Sequence, residues 1–344
     1  MEMTDWVFVL VPVLVLPIIL LFRFVGCGLN TKGELEPEIP LPKKPIPPEV
    51  SPFEPVPTQG PSYRDTIVAE PGVIAYWRLV DDPSDIPADG SPPEAKDEKN
   101  FQSGKYITVP GGLSAVEPGA EAGSELADGD FDPHQTSLIA NEPASTKCRS
   151  FKGGYVLVEF KPGLYPDEFT LEAWIKPLWT QTKDYDHVLV GAGGYYLRPV
   201  DQSPSWHGYW IFADGEDRWR VYLAQSDGSG VVEMQPAAPT VAHNATTHLA
   251  VTVETDTATS KKKVTLFVNG KMFGQSPADV YDYSAPDGVP LFIGVKNIES
   301  DPANPPVPRN PVLSSLQEVV LYDKVLSAAD IKKHNDIGTG KGGA

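Results

Sequence analysis

From residue 73 onward the chain repeats one theme: short apolar runs of strand length, broken by glycine, proline, asparagine and aspartate. Residues 73–80, 154–160, 169–175, 248–254 and 264–268 all read as strands. The last two alternate apolar with polar or small side chains, as half-buried strands do. Asn269-Gly270 is a tight-turn pair, and the lysines at 261–263 mark another, charged hairpin tip. Strands of this kind bury their apolar faces by packing sheet on sheet. The expected class is therefore all-β, a two-sheet antiparallel sandwich of jelly-roll type. One helix is expected near the end. Ser327-Ala328-Ala329-Asp330 is a variant capping box, and residues 331–334 continue it with cations near its close. The glycine-rich residues 336–344 read as a flexible tail.

The first sixty residues obey a different grammar. Residues 6–22 (WVFVLVPVLVLPIILLF) are seventeen uncharged, almost wholly apolar residues. At about 1.5 Å per residue, a helix from Trp6 to Phe22, extended past a snorkelling Arg23, spans a hydrocarbon core of roughly 30 Å. Pro12 and Pro17 are tolerated better in a membrane helix than in a soluble one. Residues 1–30 are accordingly expected to be a single-pass anchor in a lipid bilayer. A cleaved secretory leader is the alternative, but the acidic start (Glu2, Asp5) lacks the basic residues of such leaders. Phe24-Val25-Gly26-Cys27 matches a lipoprotein box only loosely. Ten of the twenty-five residues from Pro37 to Pro61 are proline, which favours extended polyproline II. Residues 31–62 thus read as an arm, either a spacer or a strap lying on a partner or on the chain's own domain. The globular domain is expected over 63–335.

The net charge of −18 argues against nucleic acid, whose phosphates need a basic face. Cys27 and Cys148 lie too far apart in character and position to suggest a disulfide. No nucleophile elbow, metalloprotease histidine pair or phosphate loop occurs, so no catalytic centre and no cofactor are expected. Two constellations invite a ligand. Asp128-Gly129-Asp130-Phe131-Asp132 offers hard oxygens for a calcium ion, or else forms an acidic solvated loop. Trp206-His207-Gly208-Tyr209-Trp210 could stack on a sugar or contact a partner. Strand alternation puts His207 and Tyr209 on one face and Trp206 and Trp210 on the other, so one set must be core. Trp179 and Tyr185 lie in a loop that could assist.

The residues 74–79 (IAYWRL), 169–177 (FTLEAWIKP), 248–252 (HLAVT) with 264–271 (VTLFVNGK), and 316–322 (LQEVVLY) follow one another in a familiar order. This series resembles the laminin-G-like, concanavalin A-like jelly-roll domains. The resemblance implies two packed antiparallel sheets of six or seven strands, with Trp77, Trp174, Phe267 and Phe292 filling the sandwich core. Gln317 stands where such domains commonly carry Asp, which should weaken any polar role there. Glycan-cleaving members place their acids on one strand; the nearest pair here, Glu168 and Glu172, would lie about 13 Å apart, too far for a retaining pair at about 5–5.5 Å. Domains of this kind bind sugars, proteins or lipids, or serve as scaffolds, so fold does not give function.

The combined expectation is a non-enzymatic, single-pass subunit that braces a larger assembly of integral membrane proteins. The alternatives are a cell-surface glycan-binding or adhesion module and a virion surface protein. The cations Arg23, Lys32, Lys43 and Lys44 follow the anchor and by the positive-inside rule favour a cytoplasmic domain. Glu34, Glu36 and Glu38 dilute them, and the resemblance favours an extracytoplasmic one, which is the side expected here.

Overall fold

The computed structural model describes residues 61–81, 91–109, 130–140, 142–143, 145–179, 186–197, 204–225, 231–234, 241–276, 283, 288–297 and 308–341. The expected anchor residues Trp6, Pro12, Pro17, Phe22 and Arg23, and the proline-rich arm, lie outside them. Among the described residues no helix is long and apolar enough to cross a membrane.

In chain order the elements begin with α1 (Tyr63–Ala69), β1 (Val73–Trp77), β2 (Glu94–Ala95), β3 (Gly104–Ile107), β4 (Asp130–Thr136), β5 (Lys147–Lys152), β6 (Tyr155–Val158) and β7 (Phe169–Pro177). There follow β8 (His187–Leu197), β9 (Pro204–Ala213), β10 (Trp219–Ala224), β11 (Val231–Met234), β12 (Thr247–Thr255), β13 (Lys262–Val268) and β14 (Lys271–Gln275). The series closes with β15 (Leu291–Ile293), β16 (Lys296–Asn297), β17 (Pro308–Arg309), β18 (Leu313–Tyr322) and α2 (Ala328–Gly338).

Two antiparallel sheets carry the fold. Sheet I runs β14-β13-β12-β7-β18-β5-β4, with β1 also paired to β18. Sheet II runs β11-β10-β9-β8-β15-β6-β3-β2, so each sheet has eight strands rather than six or seven. Strand β18 organises sheet I. One edge pairs with β7 along most of its length, while the other pairs first with β5 and then with β1. The changeover is a bulge at Glu318, whose φ of 58° is left-handed. The Asn269-Gly270 turn between β13 and β14 has φ of 51° and 73°, the paired positive values of a type I′ hairpin.

The main core lies between the sheets, where Trp77, Phe151, Phe169, Tyr209, Trp219 and Leu316 are buried together. A second apolar layer covers the other face of sheet I. There Tyr76, Trp174, Phe267 and Tyr322 meet Tyr63 and Ile67 of α1 and Ile331 of α2. Of the four aromatics expected in the sandwich core, only Trp77 is there. Trp174 and Phe267 sit under the helices, and Phe292 packs with Tyr155 and Val295 in a small separate cluster. The reason is alternation: Ala173 and Ile175 point between the sheets, which sends Trp174 the other way. Each fully buried large side chain contributes about 1.5–3 kcal/mol wherever its layer lies.

Both helices are capped by serine. Ser62 Oγ accepts from Asp65 N at 3.1 Å, and Ser327 Oγ accepts from Asp330 N at 3.1 Å while donating to Asp330 Oδ2 at 2.6 Å. The α2 cap is the one expected. The helix then runs to Gly338, past the start of the expected tail at 336, because Gly338 lies flat against Trp174. A Cβ there would come within 2.2 Å of Trp174 Cζ2.

Candidate functional site

Two polar constellations are built on the sheets. The first is buried between sheet I and the helices. Glu172 of β7 meets His334 Nδ1 of α2 at 2.9 Å, accepts from Tyr322 Oη at 2.7 Å, and lies 3.5 Å from His248 Nε2. Burial works against its charge, but the two histidines hold its carboxyl well below the usual range. Burial likewise opposes a charge on His334, yet Glu172 and Glu70 raise its pKa above the ordinary value. Alongside, Glu318 pairs with Arg78 Nη2 at 3.0 Å, accepts from Tyr76 Oη, and receives Gln317 Nε2 at 2.9 Å. Gln317 Oε1 accepts from Leu138 N at 2.7 Å. Gln317 is thus no weakened polar position. Its amide donates to one neighbour and accepts from another, which a carboxylate beside Glu318 could not do. Glu172, His248, His334, Gln317 and Glu318 are buried, and the Glu172–His334 contact fastens α2 to the sheet.

The second constellation faces outward from sheet II. Cross-strand register puts Val188, Phe212 and Arg220 in one row, and Gly191, Trp210, Tyr222 and Glu233 in the next. Since partners across a ladder share a face, all of these point away from the main core, whereas Tyr209 and Ile211 point into it. Val188, Trp210 and Phe212 are buried as a floor. Gly191 makes room for the Trp210 ring, since a Cβ there would approach its Cδ1 to 2.6 Å. Tyr222 is half-buried and meets Phe212 edge-on, ring centroids 4.5 Å apart. Arg220 bridges Asp214 and Glu233, and Lys296 carries its ammonium 5.7 Å from the centre of the Trp210 ring. Asp214 fixes the β9–β10 turn by accepting from Glu216 N at 2.8 Å and Arg218 N at 2.9 Å. Half-buried Asp186 is pushed up to about 6 by burial, against the pull of Lys296 and Arg220, so it titrates close to neutrality. The face presents one ring, carboxylates that accept and cations that donate. Such a face can stack against a flat or ring-shaped group and both donate and accept hydrogen bonds around it.

The sequence-expected ligand residues fare unevenly. Trp206, His207, Tyr209 and Trp210 all lie on β9, but Tyr209 and Trp210 are 1% exposed and so present no ring to solvent. Tyr209 belongs to the main core and Trp210 to the floor of the outer face; His207 is half-buried. Trp179 is buried too, stacked on His187 with ring centroids 4.0 Å apart. Burial pushes His187 down to about 3. Tyr185 lies outside the described residues. Asp128 lies outside the described residues, while Asp130 and Asp132 start β4, separated by Phe131, which belongs to the core between the sheets. Asp132 Oδ2 accepts from Gln135 Nε2 at 2.7 Å. Among the described residues no group of three or more His, Cys, Asp or Glu side chains is assembled for a metal.

Arg220, Tyr222, Glu233 and Asp186 were not singled out from sequence. The usable clue was the alternation of 219–224 (WRVYLA), which places Arg220 and Tyr222 together opposite Trp219 and Val221.

Residues 151–332 match the concanavalin A-like lectin/glucanases superfamily, in its Laminin_G_3 family, and the chain belongs to that family. No curated protein sequence matches it. Among solved structures, it is similar to the binding domain of Paraclostridial Mosquitocidal Protein 1, at 12% identity with a TM-score of 0.41. That match covers 61% of this chain and 48% of the other, so the chain spans about half the length of that structure. It is also similar to domain 4 of AbnA, an extracellular GH43 arabinanase from Geobacillus stearothermophilus in complex with arabinotriose. Identity is 12%, the TM-score 0.44, and coverage 78% of this chain and 98% of the other. A third is the Ruminococcus gnavus IT-sialidase CBM40 bound to alpha2,3 sialyllactose, at 14% identity and a TM-score of 0.38, covering 51% of this chain and 84% of that one.

Proposed function

We propose that this lectin-like sandwich is a non-enzymatic carbohydrate-binding module whose ligand face is the outer side of sheet II around Tyr222. The observation that carries the reading is the half-buried group of Tyr222, Arg220, Glu233 and Asp186 around an apolar floor. A tyrosine ring stacks on the C–H face of a sugar, while flanking carboxylates and a guanidinium hydrogen-bond its hydroxyls. Membership of a lectin and glucanase superfamily agrees with it. The bracing role in a membrane assembly is not taken up, since it rests on residues 1–30, which lie outside the described residues. Were that segment an anchor and the proline-rich residues its spacer, the module would be held on the extracytoplasmic side.

The test is a glycan array followed by calorimetry on the strongest hit. Tyr222→Ala is expected to weaken binding at least tenfold, roughly the effect of losing a central aromatic contact. Tyr222→Phe should retain most of it. A wild-type domain that binds no glycan, or binding indifferent to Tyr222→Ala, overturns the proposal.

A further inference from the structure

Among the described residues, Arg149 is a guanidinium in the sandwich interior whose three nitrogens meet no hydrogen-bond acceptor. Its register partner Leu316 and its strand neighbour Phe151 both belong to the core between the sheets, so the Arg149 side chain points there as well. The residue is 1% exposed, and its Nε, Nη1 and Nη2 have no hydrogen-bond partner. The walls are aromatic. The guanidinium carbon stands 4.1 Å from the centre of the Tyr106 ring and 5.8 Å from that of Phe131. Asp81, the carboxyl in electrostatic reach, is engaged elsewhere: its Oδ2 accepts from Lys96 N and from Tyr106 Oη, each at 3.3 Å.

A lysine so placed could shed its proton; an arginine side chain keeps its charge in a protein. The Tyr106 ring face supplies a cation–π contact and its hydroxyl lies close enough to act on the guanidinium, which leaves most of the five N–H donors without an acceptor. A buried charge of this kind requires an acceptor. The surroundings select a small one. Phe131 meets both Tyr106 and Phe151 edge-on, with centroids 5.3 and 5.1 Å apart, and aromatic edges carry positive partial charge. The site lies toward the β4 and β2 margins of the two sheets, which terminate the strand orders on that side.

We propose that Arg149 seats a compact monovalent anion of the halide class between the sheets. The anion accepts from the guanidinium fork and rests against the aromatic edges, completing the core at that margin. It is independent of the sugar-binding reading, since the two places are on different faces of the fold.

Crystals soaked in sodium bromide test it directly: an anomalous peak is expected within about 3.5 Å of the guanidinium nitrogens. In solution, replacing gluconate by chloride or bromide at constant ionic strength should raise the melting temperature by about 2–4 °C, as ligand linkage gives at tenfold excess over Kd. Arg149→Met should abolish that difference; if this variant does not fold, the bromide peak and the wild-type anion series decide alone. A water molecule or the Asp81 carboxylate at the guanidinium, with no halide dependence of melting, overturns the proposal.

Discussion

Gly208 and Gly193 face each other across β8 and β9. A Cβ on Gly208 would come within 1.7 Å of the Ala192 carbonyl oxygen, and one on Gly193 within 2.0 Å of the His207 oxygen. Gly208 also has a φ of 84°, where an L side chain is strained whatever the space. Both obstacles are backbone, so nothing nearby can swing aside. Gly208→Ala is therefore expected to destabilise the domain by about 2–5 kcal/mol, the sum of a left-handed penalty and overpacking. Denaturant titration checks it, and an unchanged midpoint would mean that the strands do not approach so closely. Neither this pair nor the Arg149 environment was legible in the sequence. A glycine inside a strand suggests a close approach but not its partner, and an arginine between Cys148 and Ser150 gives no hint that Tyr106 and Phe131 will enclose it.

At the level of elements, the join between α2 and sheet I depends on pH through His334 and Glu172. The His334 pKa is raised in the folded state, so its contribution is fully present below the unfolded value of about 6.5 and is lost as pH rises through the folded value. Glu172 is depressed, so its contribution is present above about 4.3 and lost on acidification through its folded value. The fastening is thus strongest between about pH 4.3 and 6.5. Stability measured from pH 6 upward should decline, and His334→Gln should flatten that decline; an equal slope in both proteins would remove His334 as its source. The α2 cap was readable because Ser327 and Asp330 are close in sequence. Helix α1 was missed: it has only seven residues, three of them β-branched, and its hold on the domain comes from Tyr63 and Ile67 meeting distant partners. The strands and the Asn269-Gly270 hairpin were legible for the same local reason. Which layer received each aromatic was not, because sheet I is buried on both faces and alternation cannot tell the two apart.

The described domain as a whole is a sandwich with helices laid over one side, so the helix layer is part of the hydrophobic structure and no appendage. Removing residues 327–344 would uncover Trp174, Phe267 and Tyr322 and leave Glu172 without His334. Such an apolar patch on a sheet face promotes association. The shortened chain is expected to bind a hydrophobic dye and to elute as aggregates in size-exclusion chromatography, despite the solubilising net charge of −18. A monodisperse truncated protein with native spectra would show that sheet I is covered by other means.

The position of β18 sets the order in which a newly made chain can settle. This strand holds β1, β5 and β7 together, yet it follows all three in the chain; Tyr76 waits 242 residues for Glu318. At about 5–20 residues per second, that interval lasts roughly 12–50 s. Until β18 has been made, the edges of β1, β5 and β7 that it covers stay unpaired. Factors that keep the nascent chain apart from its neighbours would therefore govern the yield of this protein more than its final stability does.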